Sequence, residues 1–195
     1  MELRVEHLSK SYGGQAVLRE VSFTAGPGIL CIMAPSGVGK TTLLRILLGL
    51  ETADRGTISG LEGCRWAAVF QENRLLEHLD ARGNLRFALG NSFCEGRAAR
   101  LLADLGLDLN QTKPVREYSG GMKRRLALSR ALLADSDALV LDEPFTGLDG
   151  DSRMRAAAAI VQYAAGKPVL LVTHDVRDAE QLGASVLDLA AASVQ

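Results

Sequence analysis

The 195-residue sequence predicts an α/β fold, a mainly parallel sheet flanked by helices, with an antiparallel β edge and a small helical subdomain. Three observations lead there. Short continuous apolar runs recur, ILCIMA at Ile29–Ala34, ALVL at Ala138–Leu141 and PVLLVT at Pro168–Thr173, as expected of strands buried on both faces. Helix-length segments separate them, the alternation that builds parallel sheets. The first two strand-like segments differ: they alternate apolar and polar residues and are joined by a Gly13-Gly14 turn, which places them in an antiparallel pair outside the parallel sheet.

Taken in order, Leu3–Leu8 (LRVEHL) and Val17–Thr24 (VLREVSFT) form that edge. Ile29–Ala34 is the first buried strand. Lys40–Leu50 follows as a helix with Leu43, Leu44, Leu47 and Leu48 on one side. Thr57–Ser59 and Trp66–Phe70 (WAAVF) are strands, and Asp80 to about Leu107 reads as helical, punctuated by Gly90 and Gly96. Gly120–Ala134, capped by Ser119, is a helix rich in Leu, Ala and Arg. Ala138–Leu141, the helix Asp151–Ala165, the strand Pro168–Thr173, the helix Asp175–Leu182 and the strand Ala184–Leu189 complete the alternation. The whole reads as one domain, residues 1–195, with the helical subdomain over 72–118 and no C-terminal regulatory domain.

Composition narrows the class. A chain with 47% hydrophobic and 23% charged residues is ordinary for one globular domain. A net charge of −1 gives no electrostatic footprint for nucleic acid. The longest apolar helix face, Ala156–Ala165, is too short to span a bilayer, and the charged N-terminus lacks a signal-peptide apolar region. Cys31, Cys64 and Cys94 are far apart and odd in number, which fits thiols in a reducing cytoplasm rather than a disulfide framework. The expectation is a cytoplasmic domain.

Ala34–Thr42, APSGVGKTT, joins a buried strand to a helix, the context a phosphate loop requires. Gly37 and Gly39 let the backbone wrap a polyphosphate, with Pro35, Ser36 and Val38 completing the loop. Lys40 reaches β and γ oxygens, the Thr41 hydroxyl suits a Mg²⁺ shell, and Thr42 follows in the first helical turn. The strict pattern has Gly where Ala34 stands; before Pro35 an extended Ala is tolerated unless its φ is positive. Asp142 and Glu143 end an apolar strand, where ligands of open α/β sheets sit. Asp142 suits Mg²⁺, and Glu143 suits activation of a water. Strand-end acids alone are better read as solvated; a phosphate loop upstream reverses that.

His174 ends another buried strand and can address a γ-phosphate or a water. Gln71 ends WAAVFQ, where its amide can touch Mg²⁺ or water. Tyr12 can stack on an adenine. Each has a plainer reading, as a polar strand terminus, a solvated loop amide and a half-buried aromatic. Ser119 caps a helix whose first amides, at Gly120 and Gly121, favour an anion. The following Lys123, Arg124 and Arg125 read as a solvated helix face carrying positive charge.

The ordered set Tyr12, Ala34–Thr42, Gln71, Ser119–Met122, Leu139–Glu143, Gly147-Leu148-Asp149 and His174 resembles the ATP-binding subunit of ABC transporters, over nearly the whole chain. In that family's terms these are the A-loop, Walker A, Q-loop, signature, Walker B, D-loop and H-loop. The resemblance implies a P-loop NTPase fold of the ABC type, ATP and Mg²⁺ as cofactors, and ATP hydrolysis that drives solute movement through membrane permease subunits. It implies a head-to-tail dimer, with ATP between the Walker A of one subunit and Ser119–Gly121 of the other. It assigns Glu143, His174 and Gln71 to catalysis and Thr41, Gln71 and Asp142 to the metal. Tyr12 and residues 35–42, with Ser119, Gly120 and Gly121, hold the nucleotide. Gln71–Leu85 is similar to importer subunits of the nitrate, sulfonate and taurine type, so the expected partners are a permease, a second copy of the chain and an external solute-binding protein, and not nucleic acid. The expected location is the inner face of the cell membrane. Two readings stay open beside this one: a soluble, non-transport ABC ATPase, and a poorly hydrolysing partner in a heterodimer. The second is kept alive by Met122, which replaces the signature's usual Gln.

Overall fold

The computed structural model describes residues 2–35, 37–60 and 62–192. Among the described residues, eight strands and six α-helices make two sheets and their covering layers. Strands β1 (Leu3–Tyr12), β2 (Gln15–Ala25) and β4 (Arg55–Ser59) form an antiparallel sheet in the order β2-β1-β4. Strands β3 (Gly28–Met33), β5 (Trp66–Val69), β6 (Ala138–Asp142), β7 (Pro168–Val172) and β8 (Ser185–Asp188) form a wholly parallel sheet in the order β5-β6-β7-β3-β8. The predicted antiparallel edge is therefore a separate sheet, and β4 belongs to it.

The parallel strands separate two hydrophobic cores with the period-2 alternation that pleating dictates. Leu139, Leu141, Val169, Leu171 and Cys31 face a core shared with helices α2 (Ala81–Leu89), α3 (Glu95–Asp104), α4 (Gly120–Leu133), α5 (Gly150–Tyr163) and α6 (Val176–Leu182). Val140, Leu170, Val172 and Ile32 face the other, shared with α1 (Lys40–Leu47) and the antiparallel sheet. All five residues of β6 and all five of β7 are buried, which explains their unbroken apolar sequence.

Two element boundaries depart from expectation for local reasons. Helix α1 stops at Leu47, because Gly49 takes φ 68° and the amides of Gly49 and Leu50 turn back to the carbonyls of Ile46 and Arg45, a glycine-terminated helix end. The expected helical stretch from Asp80 to Leu107 is two helices. Gly90, at φ 52°, ends α2, and a short 3₁₀ turn over Gly90–Ser92 leads to α3. Gly96 does not interrupt; it sits in the first turn of α3.

Candidate nucleotide site

The register of the parallel sheet assembles the site. Val69 pairs with Leu141, Leu141 with Leu171, and Leu171 with Cys31, so these four residues lie in one row across the sheet. Two residues beyond each lie Gln71, Glu143, Thr173 and Met33. Motifs scattered over more than a hundred positions thus emerge along one carboxyl edge. There a cavity of about 380 Å³ is lined, among the described residues, by Val17, Gly37, Gly39, Lys40, Thr41, Thr42, Gln71, Asp142, Glu143 and Val172.

The loop after β3 packs closely against β2. Gly39 has φ 93°, and a Cβ there would stand 2.8 Å from the Val17 carbonyl oxygen and the Leu18 side chain. Both the conformation and the space demand glycine. Gly39 is also the N-cap of α1 and supplies no side-chain acceptor to the first amides of that helix, which leaves them available to an anion. The Lys40 ammonium donates to the carbonyls of Ala34 (2.5 Å) and Pro35 (2.9 Å) in its own loop. Ala34 does not take a positive φ, so the missing glycine introduces no backbone strain. Ser36 lies outside the described residues, and Pro35 and Val38 flank the cavity lining rather than forming part of it.

At the end of β6, Asp142 is only 6% exposed. Burial, then the neighbouring Glu143 charge, pushes its carboxyl above the usual range, while Arg124 and Lys40 oppose that. Glu143 takes a left-handed φ of 51°, and its amide donates to the Val172 carbonyl at 3.0 Å. His174 Nδ1 stands 3.1 Å from each Glu143 carboxylate oxygen, so an Nδ1–H donates to that carboxylate. The residues beside His174 are anchored. Thr173 donates its hydroxyl to Asp178 at 2.5 Å, and Arg153 on α5 donates to both Asp178 and Asp175. Hydrogen bonding by Arg177 above all holds the Asp175 carboxyl at about 2.

The charge run after the Gly-Gly turn is not a solvated face. Lys123 donates to Glu77 at 2.7 Å, Arg125 donates to the Leu105 carbonyl at 2.8 Å, and Arg124 is 3% exposed. Arg124 is the functional-site neighbour that the sequence reading missed. The available signal was its place four residues before Leu128 and seven before Ala131, on the buried stripe of α4.

Ser119, Gly120 and Gly121 open α4 away from the cavity. The Ser119 hydroxyl accepts from the Met122 amide at 3.2 Å, the expected cap. Gly121 packs against the turn before α5, where a Cβ would lie 3.3 Å from the Gly147 carbonyl oxygen. Met122 packs its side chain on the helical core. Tyr12, at the β1–β2 turn, is 45% exposed, lies outside the cavity lining, and has the Lys10 ammonium 5.3 Å from its ring centre.

The family described as ABC transporter matches residues 18–146, from β2 to just past the acid pair. The chain is similar to the aliphatic sulfonates import ATP-binding protein SsuB 1 of Pseudomonas syringae pv. syringae, 38% identical over 96% of this chain and 79% of that protein. It is 40% identical to the SsuB 1 protein of Rhodococcus jostii over 90% of this chain and 74% of that one. A solved structure of an ATP binding subunit of an ABC transporter superposes with a TM-score of 0.81 at 27% identity, covering 93% of this chain and 83% of the other. With its phosphate loop, acid pair and Ser-Gly-Gly helix start set in this order on this sheet, the chain belongs to the ABC transporter family, as an ATP-binding and ATP-hydrolysing subunit.

Proposed function

We propose that the chain energises uptake of a small organic anion of the aliphatic sulfonate class through separate permease subunits, hydrolysing ATP in sites shared between two copies. The observation that carries the hydrolytic part is the gathering of Gly37, Gly39–Thr42, Gln71, Asp142 and Glu143 around one cavity. The amides of the loop and of the first α1 turn cradle the phosphates, and Lys40 exchanges its loop carbonyls for phosphate oxygens. Thr41, Gln71 and Asp142 line that cavity and offer a hydroxyl, an amide oxygen and a carboxylate. That hard-oxygen set fits Mg²⁺, which takes few protein ligands beside phosphate and water; bound there, it would supply charge neutralisation to the phosphates. Glu143 accepts the proton of the attacking water, and His174 holds the Glu143 carboxylate in place and reaches toward the γ-phosphate. Tyr12 offers its ring to the adenine.

Ser119–Gly121 lie away from the cavity of their own chain, which supports their serving the nucleotide of a second copy. Because the Met122 side chain packs inward, its replacement of Gln takes nothing from the amides and hydroxyl that face outward, and a poorly hydrolysing role gains no support from it. Among the described residues no helix is long and apolar enough to cross a membrane; the proposed coupling runs through the permease subunits. The segment Gln71–Leu107, with α2 and α3, is the proposed docking surface, and Phe87 on α2 presents an apolar ring that is 74% exposed there.

Affinity purification of the tagged full chain from detergent-solubilised membranes of its native host tests the reading. A permease is expected to copurify. In lipid nanodiscs, ATP hydrolysis by that complex should rise several-fold with an alkanesulfonate-loaded binding protein. Stimulation by nitrate alone would move the substrate class; no copurifying membrane protein, with equal hydrolysis in its absence, would remove the transport role.

A further inference from the structure

Arg124 is the fifth residue of α4, is buried, and meets carbonyl oxygens where a buried cation ordinarily meets a carboxylate. One terminal nitrogen, Nη1, donates to the Phe70 carbonyl (2.5 Å), the Gln71 carbonyl (3.3 Å) and the Asn73 side-chain oxygen (3.3 Å). The other, Nη2, donates to the carbonyls of Asp142 and Glu143, the latter at 2.5 Å. Nε is buried without a hydrogen-bond partner. Keeping a guanidinium out of water with one donor unpaired is costly; the return is five contacts divided between two chain segments. Those segments are the two that carry Gln71 and the Asp142–Glu143 pair to the cavity.

The planar fork explains the choice of residue. Nη1 and Nη2 diverge at a fixed angle, so one rigid group sets the spacing of both segments, which a single ammonium cannot do. The backbone of Glu143 makes the need concrete. A left-handed φ on a non-glycine residue persists only where its surroundings over-determine it. Here the amide of Glu143 is held by Val172 and its carbonyl by Arg124. That conformation aims the carboxylate at His174.

We propose that Arg124 is a positioning residue for hydrolysis: it fixes the Gln71 segment against the Asp142–Glu143 segment and so holds the water-activating carboxylate in register with the phosphate loop. It touches none of the reacting atoms and acts through the peptide groups of residues that do. The inference rests on the assignment of Glu143 as the water-activating group, whose own failure would appear separately, as turnover surviving in Glu143→Gln.

The test compares the full chain with Arg124→Met, Arg124→Lys and, on the same helix, Arg130→Met. Arg130 also donates to carbonyls, those of Arg74 (2.7 Å) and Asn73 (3.1 Å), but reaches neither Asp142 nor Glu143. ATP affinity is read with a fluorescent ATP analogue and kcat is taken per folded molecule. Arg124→Met is expected to lower kcat by about 10- to 100-fold, the scale of a misplaced reacting group, while ATP affinity stays within about 2-fold, since the phosphate loop is untouched. Arg124→Lys should recover part of that loss, and Arg130→Met should leave kcat unchanged. Unchanged kcat in folded Arg124→Met overturns the proposal, as does an equal fall of kcat and affinity reproduced by Arg130→Met, the signature of a structural role. If Arg124→Met does not fold, Arg124→Lys decides: a wild-type kcat there overturns the proposal, and a lowered kcat with wild-type affinity supports it.

Discussion

Glu143 shows what one residue carries at this site. Its carboxylate sits at the end of a fully buried strand, beside His174 and one position past Asp142, and its backbone is held left-handed from both sides. Glu143→Gln keeps the volume and removes the proton acceptor. Hydrolysis is expected to fall by about 100-fold or more, the range for loss of a general base, with ATP still bound and an ATP-bound dimer accumulating. Phosphate release and size-exclusion chromatography with ATP would read both effects, and wild-type phosphate release would exclude Glu143 as the water-activating group. At this scale the sequence was informative about chemistry and silent about conformation. ALVLDEP places two acids at a strand end, but nothing in those letters specifies φ 51°. That angle is imposed by Val172 from β7 and Arg124 from α4, both distant in the chain. Arg124 was hidden for a related reason: an Arg within a basic run looks solvated until the helix face it occupies is known. Cys31 is inert for a reason of the same kind. It is fully buried, and burial, with the Asp178 charge second, pushes its thiol up to about 11, which leaves it protonated and inert.

At the scale of elements, the segment between the Gln71 turn and α4 shows how loops are fixed without regular structure. Asp80 caps α2 by accepting from the Gly83 amide at 2.7 Å, a start the sequence announced. Asn84, one turn in and 3% exposed, then gathers the loop before the helix. Its side-chain oxygen accepts from the Leu76 amide at 2.8 Å, and its NH₂ donates to the carbonyls of Leu76 and Asp80, each at 3.0 Å. The amides of Val115 and Arg116 close the other side of the loop onto Leu79 and Glu77. Asn84→Ala leaves several of those groups buried without partners, so it should destabilise the fold by about 1–3 kcal/mol. Urea denaturation would measure this, and a midpoint equal to wild type would show that the loop finds other partners. Helix periodicity could not reveal the role of Asn84, because it describes faces, whereas this side chain works along the axis toward residues outside the helix. The break at Gly90 was visible as punctuation, but whether it bends or ends a helix depends on what packs beneath it.

For the whole molecule, the sheet register decides what one chain can and cannot complete. The parallel strands place the phosphate loop, Gln71, the acid pair and His174 at one edge, an arrangement that strand and motif order already implied. The same packing sets Ser119–Gly121 apart from that cavity, against the Gly147 turn. Under the proposed function that helix start serves a phosphate brought by another molecule. If that molecule is a second copy, the two halves of one site can be separated genetically. Ser119→Arg should abolish hydrolysis yet leave ATP binding near wild type, because its own phosphate loop is intact. Lys40→Ala should lose ATP binding at its own loop yet keep a sound Ser119–Gly121 surface. Mixed, the two pair an intact loop with an intact helix start at one interface and two damaged halves at the other. If random pairing makes half the dimers mixed, with one sound site of two in each, hydrolysis should return to about a quarter of wild type for independent sites in a two-fold dimer. The mixture must be assayed with ATP at high protein concentration, since an interface completed by nucleotide is weak without it. Differential tags would establish that mixed dimers form; mixed dimers with no recovered hydrolysis would mean that the helix start of one chain does not serve the nucleotide of the other.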